Sequence, residues 1–464
     1  MSGAAALPKW VATFQTVAWQ RRLALSWIVY AALLIAVPFV FQTGLGLALA
    51  SQIGIAIIAC LSFNLLLGQA GMLSFGHAVY TGLGAYFAIH ALNSVGAGRL
   101  ALPVSLVPLI GGVAGLVVAA LLGYLTTRRA GIGFAMITLG IGELVFALAS
   151  MMTGFFGGEG GVTGNRVTGA PLLGVTFGPP RELYFLIAAY CFVCTVAMYA
   201  FTRTPLGRLL NAVRENPERA AFIGMSTQRL RYLGFMFAGF FAGISGGLYA
   251  LLFEIVTPDV LGTVKSGNYL LFTLLGGSTV FFGPIIGAVL MVLCSALLPE
   301  LTRAWLLYLG LAFMSMMMVE PGGIAGLAAR AWRRRFSTRP TPGSESISAL
   351  PLDRFRSPAW RAASVACAML AVLAAAALIE MTYRVQLDAA LGSRLRFLGV
   401  GLDTSSTVLW LLLSLVMAGG VVTCWLFRQG SERLAARKLS IARNLALTSR
   451  VLTRAIARTR KRRA

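Results

Sequence analysis

Charge is scarce in this sequence: Asp, Glu, Lys and Arg make up 12% of 464 residues, 58% are apolar, and the mean hydropathy is +0.81. A water-soluble surface cannot be built from that composition. With only His77 and His90 as histidines, no metal cluster can be assembled, and neither lies in an H-E-x-x-H pattern. None of the four lysines, Lys9, Lys265, Lys438 and Lys461, follows a glycine, so the G-K-[ST] loop that cradles nucleotide phosphates is absent. The six cysteines (Cys60, Cys191, Cys194, Cys294, Cys367, Cys424) all fall within or at the end of apolar runs, where thiols behave as small hydrophobes. This reading extends to the C-x-x-C of Cys191 and Cys194, which has no charged neighbour to activate it.

What is abundant is apolar sequence of membrane-spanning length. Candidate spans are 24–43, 46–67, 72–92, 101–126, 132–153, 183–201, 232–253, 268–282, 284–299, 304–319, 359–379 and 407–427. They are apolar all round, which excludes the alternating pattern of a β-barrel. The positive charges, which give a formal net charge of +24, are distributed unevenly between the faces these spans define. Arg99, Arg166, Arg181, Lys265, Arg303, Arg384, Arg394 and Arg396 fall on one face, and the other 31 of the 39 Lys and Arg on the face that carries both termini. The positive-inside rule then puts both termini in the cytosol, and the excess charge reads as a topology signal rather than as a nucleic-acid surface. The first apolar run follows Arg21-Arg22 and is of full span length, so it reads as a retained helix and not a cleavable leader.

Glu143 is the only carboxylate within the twelve spans. An ion-coupled carrier needs more charged groups at depth, so the pattern favours a pore driven from outside the chain. The segment 202–231 is the most informative polar loop. Thr204-Pro205 and Asn216-Pro217 each place a capping side chain before a proline suited to the first helical turn. Two short helices are expected, the second running from Pro217 to Ile223 and closed by Gly224 in a left-handed conformation. Such a helix is about 10 Å long and marginal alone, so it requires a docking surface. The competing reading is a surface loop whose arginines only enforce topology.

Four ordered segments carry a resemblance: L-S-F-N-L-L-L-G-Q-A-G-M-L-S-F-G-H-A from Leu61 to Ala78, G-F-A-M-I-T-L-G-I-G-E from Gly133 to Glu143, the glycines from Gly157 to Gly161, and Gly276-Gly277 with Gly283-Pro284 and Gly287-Ala288. Over about residues 45–327 the chain resembles the membrane permease subunits, of the longer M-type, of bacterial ABC importers for branched-chain amino acids. The resemblance implies an all-α polytopic transmembrane helical bundle with a ten-span core, to which this chain adds two C-terminal spans. It implies a heterodimer with a second permease subunit, two cytoplasmic ABC ATPase subunits that bind the ATP, a periplasmic substrate-binding protein, and no cofactor, metal or catalytic residue of its own. It also makes Arg208, Arg214, Glu215, Asn216, Glu218, Arg219, Ala220 and Gly224 the ATPase-coupling segment. The E-A-A-x-x-x-G pattern common in such permeases is imperfect here, with Arg219 at its middle position. Phe156 precedes the outer glycines where the family commonly has Thr, and Thr279-Val280 replaces a Gly-Ser pair. Relatives that import urea or short amides share these motifs, so the cargo stays open, as does a self-sufficient secondary transporter.

Asn64, His77, Thr138 and Glu143 are candidates for the translocation path. His77 reads either as an interhelical contact or as a substrate contact, and Glu143 either as pore lining or as a buried polar tie. The expected organisation is an N-terminus 1–23, a permease domain 24–327, a cytoplasmic linker 328–358, two further spans within 359–427 and a basic tail 428–464. The tail holds 12 Lys and Arg against one acid, Glu432, with Leu434, Ile441, Leu445, Leu452 and Ile456 on one helical face. Docking on anionic lipid, a topology anchor and a partner-binding helix are the three readings of it.

Overall fold

The computed structural model describes residues 9–41, 43–167, 177–301, 305–319 and 322–328, with short stretches between 374 and 419. The expected linker 328–358 beyond its first residue, the tail 428–464, and most of the two C-terminal spans lie outside the described residues. The chain divides into two compact units, 1–298 with 309–336 and 299–308 with 337–464.

The described chain up to residue 319, which lies in the first unit except for 299–308, is mainly helical. Its long elements are α1 (Lys9–Val40), α2 (Gly44–Asn64), α3 (His77–Gly96), α4 (Val107–Thr126) and α5 (Ile132–Met151). A single turn, α6 (Thr153–Phe156), precedes α7 (Pro180–Arg203), and the short α8 (Pro205–Glu215) and α9 (Pro217–Phe222) lead into α10 (Thr227–Phe253). The helices α11 (Thr263–Gly276), α12 (Gly283–Leu301) and α13 (Trp305–Val319) follow. Each of the first ten expected spans meets one of these helices, and among the described residues five helical segments are long and apolar enough by themselves to cross a bilayer.

The core forms where α2, α3, α4 and α10 cross. In lipid, association rests on close backbone approach rather than on a hydrophobic drive, and small residues permit it. Gly84 of α3 shows the effect: a Cβ there would lie 2.6 Å from the Cα of Gly243 on α10. Side-chain bonds tie the crossings. Ser245 Oγ donates to the Ile55 carbonyl at 3.0 Å, and Ala78 N–H donates to Ser266 Oγ at 2.9 Å, joining α10 to α2 and α3 to α11.

Two small sheets among the described residues are absent from the sequence reading. At one end of the unit, β1 (Val162–Thr163) pairs antiparallel with β2 (Ile255–Val256), in the register Val162 with Val256. The two strands hold the glycine-rich segment, where Gly157, Gly158 and Gly161 take positive φ. In the second unit, β3 (Arg394–Phe397) pairs antiparallel with β4 (Val400–Asp403), with Arg394 opposite Asp403.

Candidate coupling surface and translocation face

The loop between α7 and α10 folds as its sequence requires. Thr204 has extended backbone and its Oγ1 accepts from Gly207 N–H at 3.3 Å, which starts α8. Asn216 repeats the device, its Oδ1 accepting from Arg219 N–H at 3.0 Å, so α9 begins at Pro217 as expected. Gly224 ends it with φ +85°, while Gly224 N–H donates to Ala221 O at 2.9 Å and Met225 N–H to Ala220 O at 3.1 Å. Those are the paired bonds of a Schellman cap, and they need a left-handed residue at Gly224.

These caps fix which side of α9 is open. Ala220 is buried against the unit, whereas Glu218, Arg219 and Ala221 are exposed and Phe222 and Ile223 are 90% and 77% exposed. An aromatic and a β-branched residue side by side in the open form an apolar tip on a helix too short to stand alone. Gly207, Leu210 and Val213 are buried along one side of α8, and a Cβ on Gly234 of α10 would lie 3.0 Å from Leu210 Cδ1. Arg208 and Glu215 remain on its exposed side.

The four translocation candidates do not form one group. His77 is fully buried, accepts from or donates to Ser62 Oγ at 2.9 Å, and has the rings of Phe63, Tyr80 and Tyr269 edge-on around it. Thr138 is also buried. Its Oγ1 donates to Ala135 O at 2.9 Å and accepts from Phe75 N–H at 3.2 Å, which pins α5 to the chain entering α3. Asn64 is buried where α2 ends. Glu143 alone is open: it sits on the exposed side of α5, with Thr263 Oγ1 donating to its Oε1 at 2.9 Å. Leu144, at 65% exposure, is beside it.

Among the charges on the face of the glycine-rich segment, Arg166 and Lys265 are held within the fold, and Arg181 lies over the Phe39 ring at 5.1 Å. The Arg166 side chain donates from Nε to Phe177 O at 2.8 Å, and from Nη1 to Leu251 O and Leu252 O at 3.3 and 3.2 Å. Its backbone N–H donates to Glu254 Oε1 at 2.9 Å. Lys265 lies 5.5 Å from the Tyr249 ring centroid, and burial lowers its pKa from the ordinary lysine value. Arg99, Glu159, Arg181 and Asp259 do stand exposed. Cys191 Sγ is 3.1 Å from Tyr30 Oη within a buried contact, consistent with a packing role for the C-x-x-C. Among the described residues no cluster of His, Cys, Asp and Glu could hold a metal ion.

The profile of the family described as branched-chain amino acid transport system / permease component matches residues 45–320. The chain belongs to this family. It is 29% identical over 319 residues to the high-affinity branched-chain amino acid transport system permease protein LivM of Salmonella typhimurium, covering 63% of this chain and 73% of that one. It is 25% identical over 277 residues to the probable branched-chain amino acid transport permease protein LivH of Methanocaldococcus jannaschii, covering 57% and 86%. A shorter match, 30% over 80 residues, joins 17% of this chain to 24% of the guanosine ABC transporter permease protein NupQ of Bacillus subtilis. No solved structure matches the chain. Residues 321–464 lie beyond the family match.

Proposed function

We propose that the chain is one permease subunit of an ATP-driven importer of branched-chain amino acids in the bacterial inner membrane. On this reading a second permease subunit completes the pore, two cytoplasmic ATPase subunits bind and hydrolyse the ATP, and a periplasmic binding protein delivers the cargo. Both termini lie in the cytosol. The observation that carries the reading is α9, held by caps at both ends, with Phe222 and Ile223 exposed at its tip. Covering either side chain contributes roughly 1.5–3 kcal/mol, enough for an ATPase cleft to hold a helix that is marginal alone. The segment with Arg208, Arg214, Glu215, Asn216, Glu218, Arg219, Ala220 and Gly224 builds the coupling unit, and Glu218 and Arg219 share its exposed side with Phe222 and Ile223.

The open face of α5 is the translocation face in the same reading. A carboxylate within a membrane helix faces water or a partner, not lipid. Glu143 points away from this chain's own core, so the second subunit or the aqueous path covers it. A guanosine permease among the relatives bears on cargo, because shared sequence in this group spans differently named solutes.

The experiment is reconstitution. Proteoliposomes with all subunits and a binding protein should take up leucine only with internal ATP, and the pair Phe222→Asp and Ile223→Asp should abolish co-purification of the ATPases. Leucine uptake by this chain alone, without ATPase subunits, would show a self-sufficient carrier instead.

A further inference from the structure

The last turn of α2 is not α-helical. Leu65–Ala70 continue it as a π-helical turn, which ends at Gly71 with φ +67°, and both Gly71 N–H and Met72 N–H return to the Leu66 carbonyl. A π turn breaks the regular ladder and is frequent at functional sites. Three contacts fasten it to α8, some 142 to 146 residues on in the chain. Arg214 Nη1 donates to the Gly68 carbonyl, and Asn211 Nδ2 donates to Gln69 Oε1 at 2.7 Å. The Arg214 stem also covers Gly71, where a Cβ would lie 2.9 Å from Arg214 Cγ. The turn also borders the loop after α11, since a Cβ on Gly68 would lie 2.8 Å from the Ser278 carbonyl oxygen.

Other ways out of the α8 and α9 unit exist, and each leads to a single helix. Thr204, where α7 meets α8, is tied back to Phe201 O by its N–H at 3.1 Å and its Oγ1 at 2.6 Å, and Leu210 packs against Gly234 of α10. The helix α2, in contrast, is bonded along its length: Ser245 to Ile55 O at 3.0 Å, Thr273 to Cys60 O at 3.4 Å and Ser62 to His77 at 2.9 Å join it to α10, α11 and α3.

We propose that Arg214 and Asn211 are positioning residues that latch the coupling unit to the π turn, so that the ATPase stroke enters the pore through α2. This rests on the coupling reading above, and adds to it the route by which movement leaves the loop. Contact with the ATPase belongs to α9, while α8 and the π turn travel together.

The test uses the full complex in proteoliposomes with leucine, ATP and the binding protein. Arg214→Met and Asn211→Leu should each lower the ratio of leucine imported to ATP hydrolysed about fivefold to tenfold, the range of a modest coupling free energy between sites. Arg214→Lys, which keeps a donor for the Gly68 carbonyl, should recover part of that ratio. An unchanged ratio in both variants, with co-purification of the ATPases intact, overturns the latch. If Arg214→Met fails to assemble, a second measurement decides. Gln69→Cys and Asn211→Cys, in a chain lacking its native cysteines, lose the Asn211 to Gln69 bond and are then bridged by a short bis-methanethiosulfonate, whose disulfides can be reduced. A ratio of leucine imported to ATP hydrolysed that rises on bridging and falls again on reduction supports elements that move as one, and import lost on bridging and regained on reduction overturns it. Should Phe222→Asp also leave the complex assembled and coupled, the coupling reading itself fails, and that outcome is separate from failure of the latch.

Discussion

Glu143 is the residue at which local cost and partner supply can be compared. Placing a charged carboxylate at the centre of a bilayer costs about 2.5–3.5 kcal/mol on insertion scales, while one hydrogen bond to a charged group returns about 1.5–3. Thr263 therefore offsets the cost only in part, and water or a second subunit supplies the rest. Glu143→Leu should cut leucine uptake about tenfold or more, whereas Glu143→Gln should retain the Thr263 bond and stay within about threefold of the parent, the difference being one charged hydrogen bond. Uptake of radiolabelled leucine checks both, and parental uptake by the leucine variant removes Glu143 from the path. The sequence showed that Glu143 is unique among the spans, but its partner lies 120 residues away and no local pattern points to it. His77 and Thr138 lie in the same family motifs, and only tertiary burial separates them from Glu143.

At the scale of elements, legibility follows the range of the interaction. Both caps of α9 involve bonds between residues at most five apart, so Asn216, Pro217 and Gly224 announce them. Gly224→Val puts a β-branched side chain at φ +85°, which costs on the order of 1 kcal/mol or more and tilts the apolar tip. Substrate-stimulated ATPase activity should fall severalfold while the chain still inserts, and an unchanged stimulation would count against α9 as the coupling helix. The Arg166 clasp is the opposite case. Its carbonyl acceptors, on Phe177, Gly178, Leu251 and Leu252, lie 11, 12, 85 and 86 residues away, and its ion-pair partner Glu254, at 3.8 Å, lies 88 away, so no local pattern announces the clasp. Arg166→Met removes these bonds and leaves carbonyls at the end of α10 unsatisfied, at a cost of about 1–3 kcal/mol. The melting temperature in detergent should drop by a few degrees, with faster proteolysis between residues 163 and 182; no change in either would mean that β1 and β2 suffice to hold the segment. The π turn had no local signal at all, because Leu65–Ala70 reads as ordinary apolar helix.

The whole molecule is a family permease with 144 residues after the end of the matched region, and the basic tail closes that addition. On the positive-inside reading proposed above, its 12 Lys and Arg face an anionic cytosolic leaflet. Each basic residue near that surface contributes up to about 1 kcal/mol, and those held beyond a Debye length of about 8 Å contribute little. Leu434, Ile441, Leu445, Leu452 and Ile456, which the sequence spacing would place on one face of a helix, should add a component that salt does not screen. A synthetic peptide of residues 428–464 should therefore turn helical, by circular dichroism, on vesicles containing phosphatidylglycerol but not on phosphatidylcholine alone, and lose affinity as salt rises. Equal binding to both would reject the electrostatic part. Because the helices that make the coupling surface and the Glu143 face all precede residue 328, a chain stopped after Gln429 should still assemble and import leucine at the parental rate. Import lost on that truncation, with the complex intact, would give the tail a part in transport as well as in anchoring.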